Sequence, residues 1–377
     1  MGMVGGSTEG FIGSVHRLAA SLDGQIELVC GAFSSDPVKS KHTGLSLYLQ
    51  ENRIYGSYEE MILKEKDLSE DIRMDFISVV TPNHLHFLPS KLALENGFHV
   101  LCEKPLAFSM EEASALENLV KKTGLVFGVT HNYTGYPMVK EAKELVQSGK
   151  IGKIRKVMVE YPQGWLSGNI EKEGQKQAGW RTDPKQAGIS CCVGDIGTHA
   201  ENLAEYITGL KIKELSADIN TFVEGRLLED DANILVRFEG GAKGVIVVSQ
   251  IANGEENELK IRIYGEKGGI EWLQSEPNSL VLKSQEEPRK ILRTGNSYLS
   301  ERAKVHTRLP GGHPEGYIES LANLYRNFSM AIDAYMDKNK EDNSLFDFPT
   351  ISDGLCGMRF VEAVIESGKN NSKWISL

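Results

Sequence analysis

Long apolar runs are missing from this 377-residue sequence. No stretch approaches the roughly 18 consecutive apolar residues that a membrane-spanning helix requires, so no membrane partner is expected. Positive charge is also scarce: 42 lysines and arginines against 52 acidic side chains leave a formal charge of -10. Such a balance gives no attraction toward nucleic acid or anionic lipid, and nucleic acid is not expected as a partner. The five cysteines, Cys30, Cys102, Cys191, Cys192 and Cys356, are odd in number and fit no CxxC or zinc-finger spacing. They read as reduced thiols. The N-terminal residues show no basic region followed by an apolar signal core, so a cytoplasmic location is expected. What is present is ordinary for a globular chain, 40% hydrophobic and 25% charged, long enough for two domains with sizeable cores.

The opening residues MGMVGG read as the end of a buried strand running into a glycine-rich turn. Because such a strand usually spans about five or six residues, further residues are expected to precede Met1 in the natural chain. A helical pattern over 11–22 leads to a second buried strand over 26–33. Strand-like runs at 76–80, 99–102 and 125–130 follow, separated by helical patterns such as 109–122. This alternation predicts an α/β, doubly wound parallel sheet with helices on both faces. Past 149–152 the pattern changes, and strand-like segments at 154–161, 215–222, 232–238, 243–250 and 259–264 arrive in succession. Short links predict a large, mostly antiparallel open sheet in an α+β second domain, followed by helices over 314–337 and 351–367. The expected division is 1–135 and 136–377, with the last helix packing back toward the first domain.

Gly5, Gly6, Gly10 and Gly13 lie between the first strand and the first helix, where close backbone approach and the helix N-terminus can hold a pyrophosphate. Gly6, Gly10, Phe11, Ile12 and Gly13 are the candidate contacts. The spacing departs from GxGxxG, with three residues between Gly6 and Gly10. A ligand-free tight turn would use the same glycines. At the end of the second strand, where an acid would bind the adenosine ribose, the sequence reads Phe33-Ser34-Ser35-Asp36. Ser34 and Ser35 are the candidates there; Asp36 would favour NAD, whereas Lys39 or Lys41 would favour a 2′-phosphate, so the cofactor is NAD or NADP.

Thr81-Pro82-Asn83-His84-Leu85-His86 follows one predicted strand, and Glu103-Lys104-Pro105 another, placing both at the sheet edge that binds ligands. His84 and His86 form an HxH pair, but no carboxylate or cysteine stands at a supporting spacing, so no metal is expected. The TPNHLH and EKP segments after a glycine-rich turn resemble the glucose-fructose oxidoreductase and inositol dehydrogenase (Gfo/Idh/MocA) family. Asp195-Ile196-Gly197-Thr198-His199 matches that family's aspartate and histidine four apart in the second domain. The resemblance extends over nearly the whole chain, apart from the first-turn spacing and the missing acid after the second strand.

It implies a carbohydrate or polyol substrate and a catalytic set of Lys104, Asp195 and His199. Alcohol oxidation needs a base such as a neutral imidazole, and an ammonium stabilises developing alkoxide charge. His199 is expected as base and Lys104 as shared acid, with Asp195 holding the reacting hydroxyl. Thr81, Pro82, Asn83, His86, Glu103 and Lys104 join the candidate cofactor contacts. Tyr133, Trp165, Trp180 and Arg181 join Asp195 and His199 as candidate substrate contacts, with Tyr136, Asp183 and His313 as softer ones. Competing readings are NAD-assisted glycoside cleavage through transient oxidation, and a dinucleotide-binding regulator without catalysis. An open sheet seeks cover, so a homodimer or homotetramer is expected.

Overall fold

Five short, buried runs form the first sheet: β1 (Gly2–Gly5), β2 (Cys30–Ala32), β3 (Phe76–Val80), β4 (His99–Cys102) and β5 (Phe127–Val129). They are parallel and ordered β2-β1-β3-β4-β5. Every residue of β3, β4 and β5 is buried, as expected of strands covered on both faces by crossover helices. Those helices are α1 (Phe11–Ser21), α2 (Pro37–Ser46), α3 (Tyr58–Lys66), α4 (Phe87–Glu95) and α5 (Met110–Thr123). Ser57 and Ser109 cap α3 and α5 by accepting from the Glu60 and Glu112 amides, and α5 stops at Gly124, whose φ of 69° is left-handed. The strand order reverses between β1 and β3. In open α/β sheets the crevice outside the carboxyl ends at such a reversal is where ligands bind.

The computed structural model describes residues 1–8, 10–337 and 346–377. Contacts divide the chain into two units, Met1–Asn132 with Ile318–Leu355, and Tyr133–Tyr317 with Cys356–Leu377. The tail therefore splits. Residues 318–355 cluster with the parallel sheet, and 356–377, most of the last helix, cluster with the second unit.

The second unit is built on nine strands: β6 (Ile154–Pro162), β7 (Ile212–Asn220), β8 (Asp231–Phe238), β9 (Lys243–Ser249), β10 (Lys260–Gly265), β11 (Gly269–Leu273), β12 (Ser279–Lys283), β13 (Lys290–Arg293) and β14 (Ile375–Ser376). Their order is β13-β12-β11-β10-β6-β9-β8-β7-β14, antiparallel throughout except where β6 runs parallel to β9. Further helices are α6 (Pro137–Gln147), α7 (Lys176–Arg181), α8 (Pro184–Ala187), α9 (Thr198–Thr208), α10 (Glu301–Val305), α11 (Tyr317–Met336) and α12 (Ile351–Lys369). Helices α6 and α9 pack on one face of the sheet, against Val157, Val159, Ile246 and Ile263.

Both fold classes match expectation. The second strand is shorter than predicted, because its ladder with β1 begins at the Gly2–Cys30 pair; before it, Met1 only exchanges bonds with the Glu27 carbonyl and the Val29 amide. Strands β11 to β14 were not anticipated. Each is five residues or fewer, which leaves little alternation to read.

Candidate active site

In the first unit, Gly5 and Gly6 turn with φ of 81° and 71°, the left-handed region that favours glycine. A Cβ on Gly13 would fall 2.3 Å from the Gly6 Cα, so α1 packs backbone to backbone against the turn. Arg17 pins the turn by donating to the Gly6 carbonyl at 2.6 Å. The N-cap of α1 is Gly10, which has no side chain to cap the helix. Its first amides, from Phe11, Ile12 and Gly13, form the positive end of the helix at the β1/β3 reversal. A glycine cradle leading to a helix with glycine at its N-cap fits a dinucleotide pyrophosphate.

At the end of β2, Asp36 is committed elsewhere: its carboxylate caps α2, accepting from the Val38 and Lys39 amides at 2.9 and 3.4 Å. The Ser34 hydroxyl accepts from the Asp36 amide at 3.1 Å, Ser35 is exposed, and Lys41 pairs with Glu51 at 3.1 Å. Ser34 and Ser35 thus stand at the strand's end.

After β3, Thr81 and Pro82 lead into a turn over Asn83–Leu85 in which Asn83 is buried. His86 is fully buried, with its two ring nitrogens 2.8 Å from the carbonyls of Thr81 and Pro105. Burial pushes its pKa down against the pull of those carbonyls, and the ring ties the loop after β3 to the loop after β4. In that second loop Glu103 accepts from His16 Nε2 at 2.9 Å, from the Thr130 hydroxyl at 2.5 Å and from the Lys104 amide at 3.1 Å. Burial opposes its ionisation, but His16, Lys104 and Thr130 outweigh it and hold the carboxyl down to about 2. Glu103 is therefore a carboxylate beside Lys104 at any ordinary pH.

In the second unit, Asp195 lies in a widened, π-type turn over Val193–Gly197 that runs into α9, and His199 sits in the first turn of that helix. Such turns recur at functional sites. Glu229 anchors the segment, accepting from the Ser190 hydroxyl and from the Cys191 and Val193 amides at 2.5, 3.1 and 3.0 Å. The Asp195 Oδ2 accepts from Arg181 Nε at 3.0 Å and from Gln250 Nε2 at 2.9 Å, so side chains hold this carboxylate. The Arg181 guanidinium lies 4.2 Å from the Trp180 ring centroid and 5.6 Å from that of Trp165. Trp165 donates to Gln163, Gln163 to Asn257, and Asn257 to Tyr133. Tyr133 shares a 2.5 Å bond with Tyr161, and its ring meets the His199 ring edge-on at 4.9 Å. Burial pushes the pKa of both tyrosines up, keeping them as neutral hydroxyls.

The sequence-predicted substrate residues Tyr133, Trp165, Trp180, Arg181, Asp195 and His199 thus share one connected cluster in the second unit. Of the softer candidates, Asp183 caps α8 and His313 is exposed before α11, whereas the buried Tyr136 ring stacks on Tyr133 at 6.3 Å and also packs against Trp272. Among the described residues no group of three His, Cys, Asp or Glu side chains is placed to hold a metal ion.

Comparison with known proteins places this geometry. Residues 1–133 match the model of an oxidoreductase family with an NAD-binding Rossmann fold, and residues 139–271 match the Gfo/Idh/MocA C-terminal domain. An uncharacterised oxidoreductase of Bacillus subtilis, YfiI, is 37% identical, covering 99% of this chain and 95% of its own. This chain belongs to the Gfo/Idh/MocA oxidoreductase family. Among solved structures of the family, an inositol dehydrogenase homologue from Azotobacter vinelandii complexed with NAD+ superposes with a TM-score of 0.94 at 36% identity, covering 100% of this chain and 96% of that one. An inositol dehydrogenase homologue from the same organism, complexed with NADH and myo-inositol, gives 0.92 at 35% identity, covering 100% and 97%. This Gfo/Idh/MocA chain is accordingly an NAD-binding oxidoreductase.

Sequence reading missed His16, Gln163, Gln250 and Asn257. His16 carried a signal, a histidine on the buried face of α1 three residues after Gly13. The two glutamines stand just beyond strand ends and the asparagine in the link before β10, where nothing local marks them.

Proposed function

We propose that this oxidoreductase transfers hydride between NAD(H) and a secondary carbon-oxygen centre of a cyclic polyol or sugar, with Lys104, Asp195 and His199 as its catalytic residues. The observation that carries the reading is the Asp195 carboxylate held by Arg181 and Gln250 four residues before His199, in a cluster rich in amides and aromatic rings. Amide groups and a fixed carboxylate match the hydroxyls of a polyhydroxylated ring, and Trp165 and Trp180 match its apolar face. The myo-inositol named with the Azotobacter homologue is a ligand of this class. NAD supplies the hydride acceptor at the reacting carbon. His199 takes the proton of the reacting hydroxyl, Asp195 holds the substrate by accepting from a neighbouring ring hydroxyl, and the Lys104 ammonium stabilises negative charge on the reacting oxygen. Ser34 and Ser35, with Asp36 turned to its helix, face the adenosine ribose.

The uncovered face of the second sheet supports an assembly of like chains. Met158, Leu235, Val245 and Val247 form an apolar strip there, beside charges already paired within the sheet, such as Glu160 with Arg262 and Glu271 with Lys283. A homodimer or homotetramer through this face is the expected form, checked by light scattering of wild type and Leu235→Glu. Five free cysteines suit a reducing cytoplasm, and among the described residues no helix is long and apolar enough to cross a membrane.

The test of function is a panel of cyclic polyols, aldoses, anhydrosugars and glycosides with NAD and NADP separately, followed by absorbance of reduced cofactor. A polyol or sugar giving stoichiometric reduced NAD supports the reading; glycoside cleavage without net reduction overturns it.

A further inference from the structure

A buried chain of hydrogen bonds lies beneath the loop that carries Lys104. The Ser78 hydroxyl on β3 and the Tyr325 hydroxyl on α11 are 2.7 Å apart, Tyr325 is 2.7 Å from His16 Nδ1, and His16 Nε2 is 2.9 Å from Glu103 Oε1. His16, Ser78 and Tyr325 are fully buried. The order of protons follows from the acceptors. Glu103, ionised, only accepts, so His16 Nε2 and Thr130 both donate to it. With its ring proton held on Nε2, His16 offers Nδ1 as an acceptor. Tyr325 donates there and accepts in turn from Ser78. Helices α1 and α11 and strand β3 are thereby keyed to one orientation of the Glu103 carboxylate, whose other oxygen takes the Lys104 amide at 3.1 Å.

We propose that His16 is a positioning residue for Lys104: anchored by Tyr325, it fixes Glu103 as an oriented carboxylate, and Glu103 fixes the backbone of Lys104. Because His16 lies on α1, the helix whose N-terminus forms the cofactor cradle, the cradle and the Lys104 loop are set by the same side chain. The proposal rests on the reading of Lys104 as a catalytic group.

Other groups facing Glu103 are His86 from the loop after β3, Cys102 at the end of β4, Lys104 from its own loop, His131 after β5, and Tyr325 from α11, with Arg17 of α1 facing Tyr325. Burial and Lys104 push the His131 pKa down to about 4, so it stays neutral.

The test compares wild type, His16→Leu, His16→Gln, Tyr325→Phe and Lys104→Ala by NAD affinity, kcat and the pH profile of kcat. Without a donor from His16, the buried Glu103 carboxyl binds a proton at higher pH. In His16→Leu the acid limb of kcat therefore moves upward and kcat at weakly acid pH falls by roughly 10- to 100-fold, the usual size for a group orienting a reactive one. Activity returns as pH rises, and NAD affinity changes less than the rate. The Gln amide can stand in for the Nε2–H, so His16→Gln restores the acid limb; Tyr325→Phe, losing one hydroxyl, shifts it partway. A wild-type acid limb in His16→Leu, or the same limb in Leu and Gln variants, overturns the proposal. Should His16→Leu fail to fold, Tyr325→Phe decides: a wild-type limb in that variant would contradict the anchor. Lys104→Ala separates the two claims, because undiminished activity in that variant removes Lys104 from the chemistry whatever the His16 variants do.

Discussion

The two units hold their charged groups by different means. Around Lys104 the scaffold is backbone: a glycine turn, the carboxyl ends of parallel strands, and a carboxylate locked by buried partners. Around Asp195 the scaffold is side chain: one guanidinium and one amide on a single oxygen, with aromatic rings behind. Backbone devices tolerate little change and suit a cofactor that does not vary. Side-chain devices can be altered one residue at a time, which suits a substrate that does.

The largest effects should come from the chemistry itself. His199→Ala and Lys104→Ala should each lower kcat/KM by roughly 10²- to 10⁴-fold, the range for removing an acid or base, with folding unchanged by circular dichroism. Equal, full activity in both variants would break the comparison at its root. Next is Gly13→Ala. Its Cβ would meet the Gly6 backbone at 2.3 Å, where nothing flexible can give way. Overpacking of about 1–3 kcal/mol predicts NAD affinity weakened by roughly 5- to 150-fold, measured by calorimetry, with the second unit untouched.

Arg181 should behave differently. Arg181→Leu removes a charge-assisted bond of about 1.5–3 kcal/mol from Asp195, so substrate kcat/KM should fall roughly 10- to 100-fold while NAD affinity stays constant. Arg181→Lys should recover little, because an ammonium cannot stack on Trp180 as the planar guanidinium does. A change in NAD affinity in either variant would erase the division of labour.

That division also explains what could be read from the sequence. The parallel sheet, its glycine turn and the loops at Thr81 and Glu103 were legible because backbone requirements leave local marks: glycines at fixed places, turns after buried runs. The carboxyl edge followed from the alternation alone. Asp195 and His199 stood out through the family resemblance, as a pair four apart at the start of a helix. Gln250 and Asn257 were not, since a polar residue near a strand end means nothing until the sheet brings it beside Asp195 or Tyr133. Asp36 was undecided for a related reason: one carboxylate can face a ribose or cap a helix, and here the α2 amides take one of its oxygens.

The smallest effect concerns stability and belongs to the first unit. Burial lowers the pKa of His99 from 6.5 to about 4, and burial with Lys104 does the same for His131. Between those values the unfolded chain binds protons that the folded chain refuses. Stability should therefore fall as pH drops from 6.5 toward 4 and then level off for these groups. Thermal melts across that window should show the decline, and His99→Gln should flatten it; an unchanged slope would contradict the assignment.

The most direct test of the central claim is the absorbance of reduced NAD when the purified protein meets cyclic polyols such as myo-inositol, run beside His199→Ala. The account predicts stoichiometric reduction by wild type with at least one polyol or sugar and roughly 10²-fold less by the variant. Tight NAD binding with no reduction across the whole panel, or equal reduction by both proteins, would contradict it.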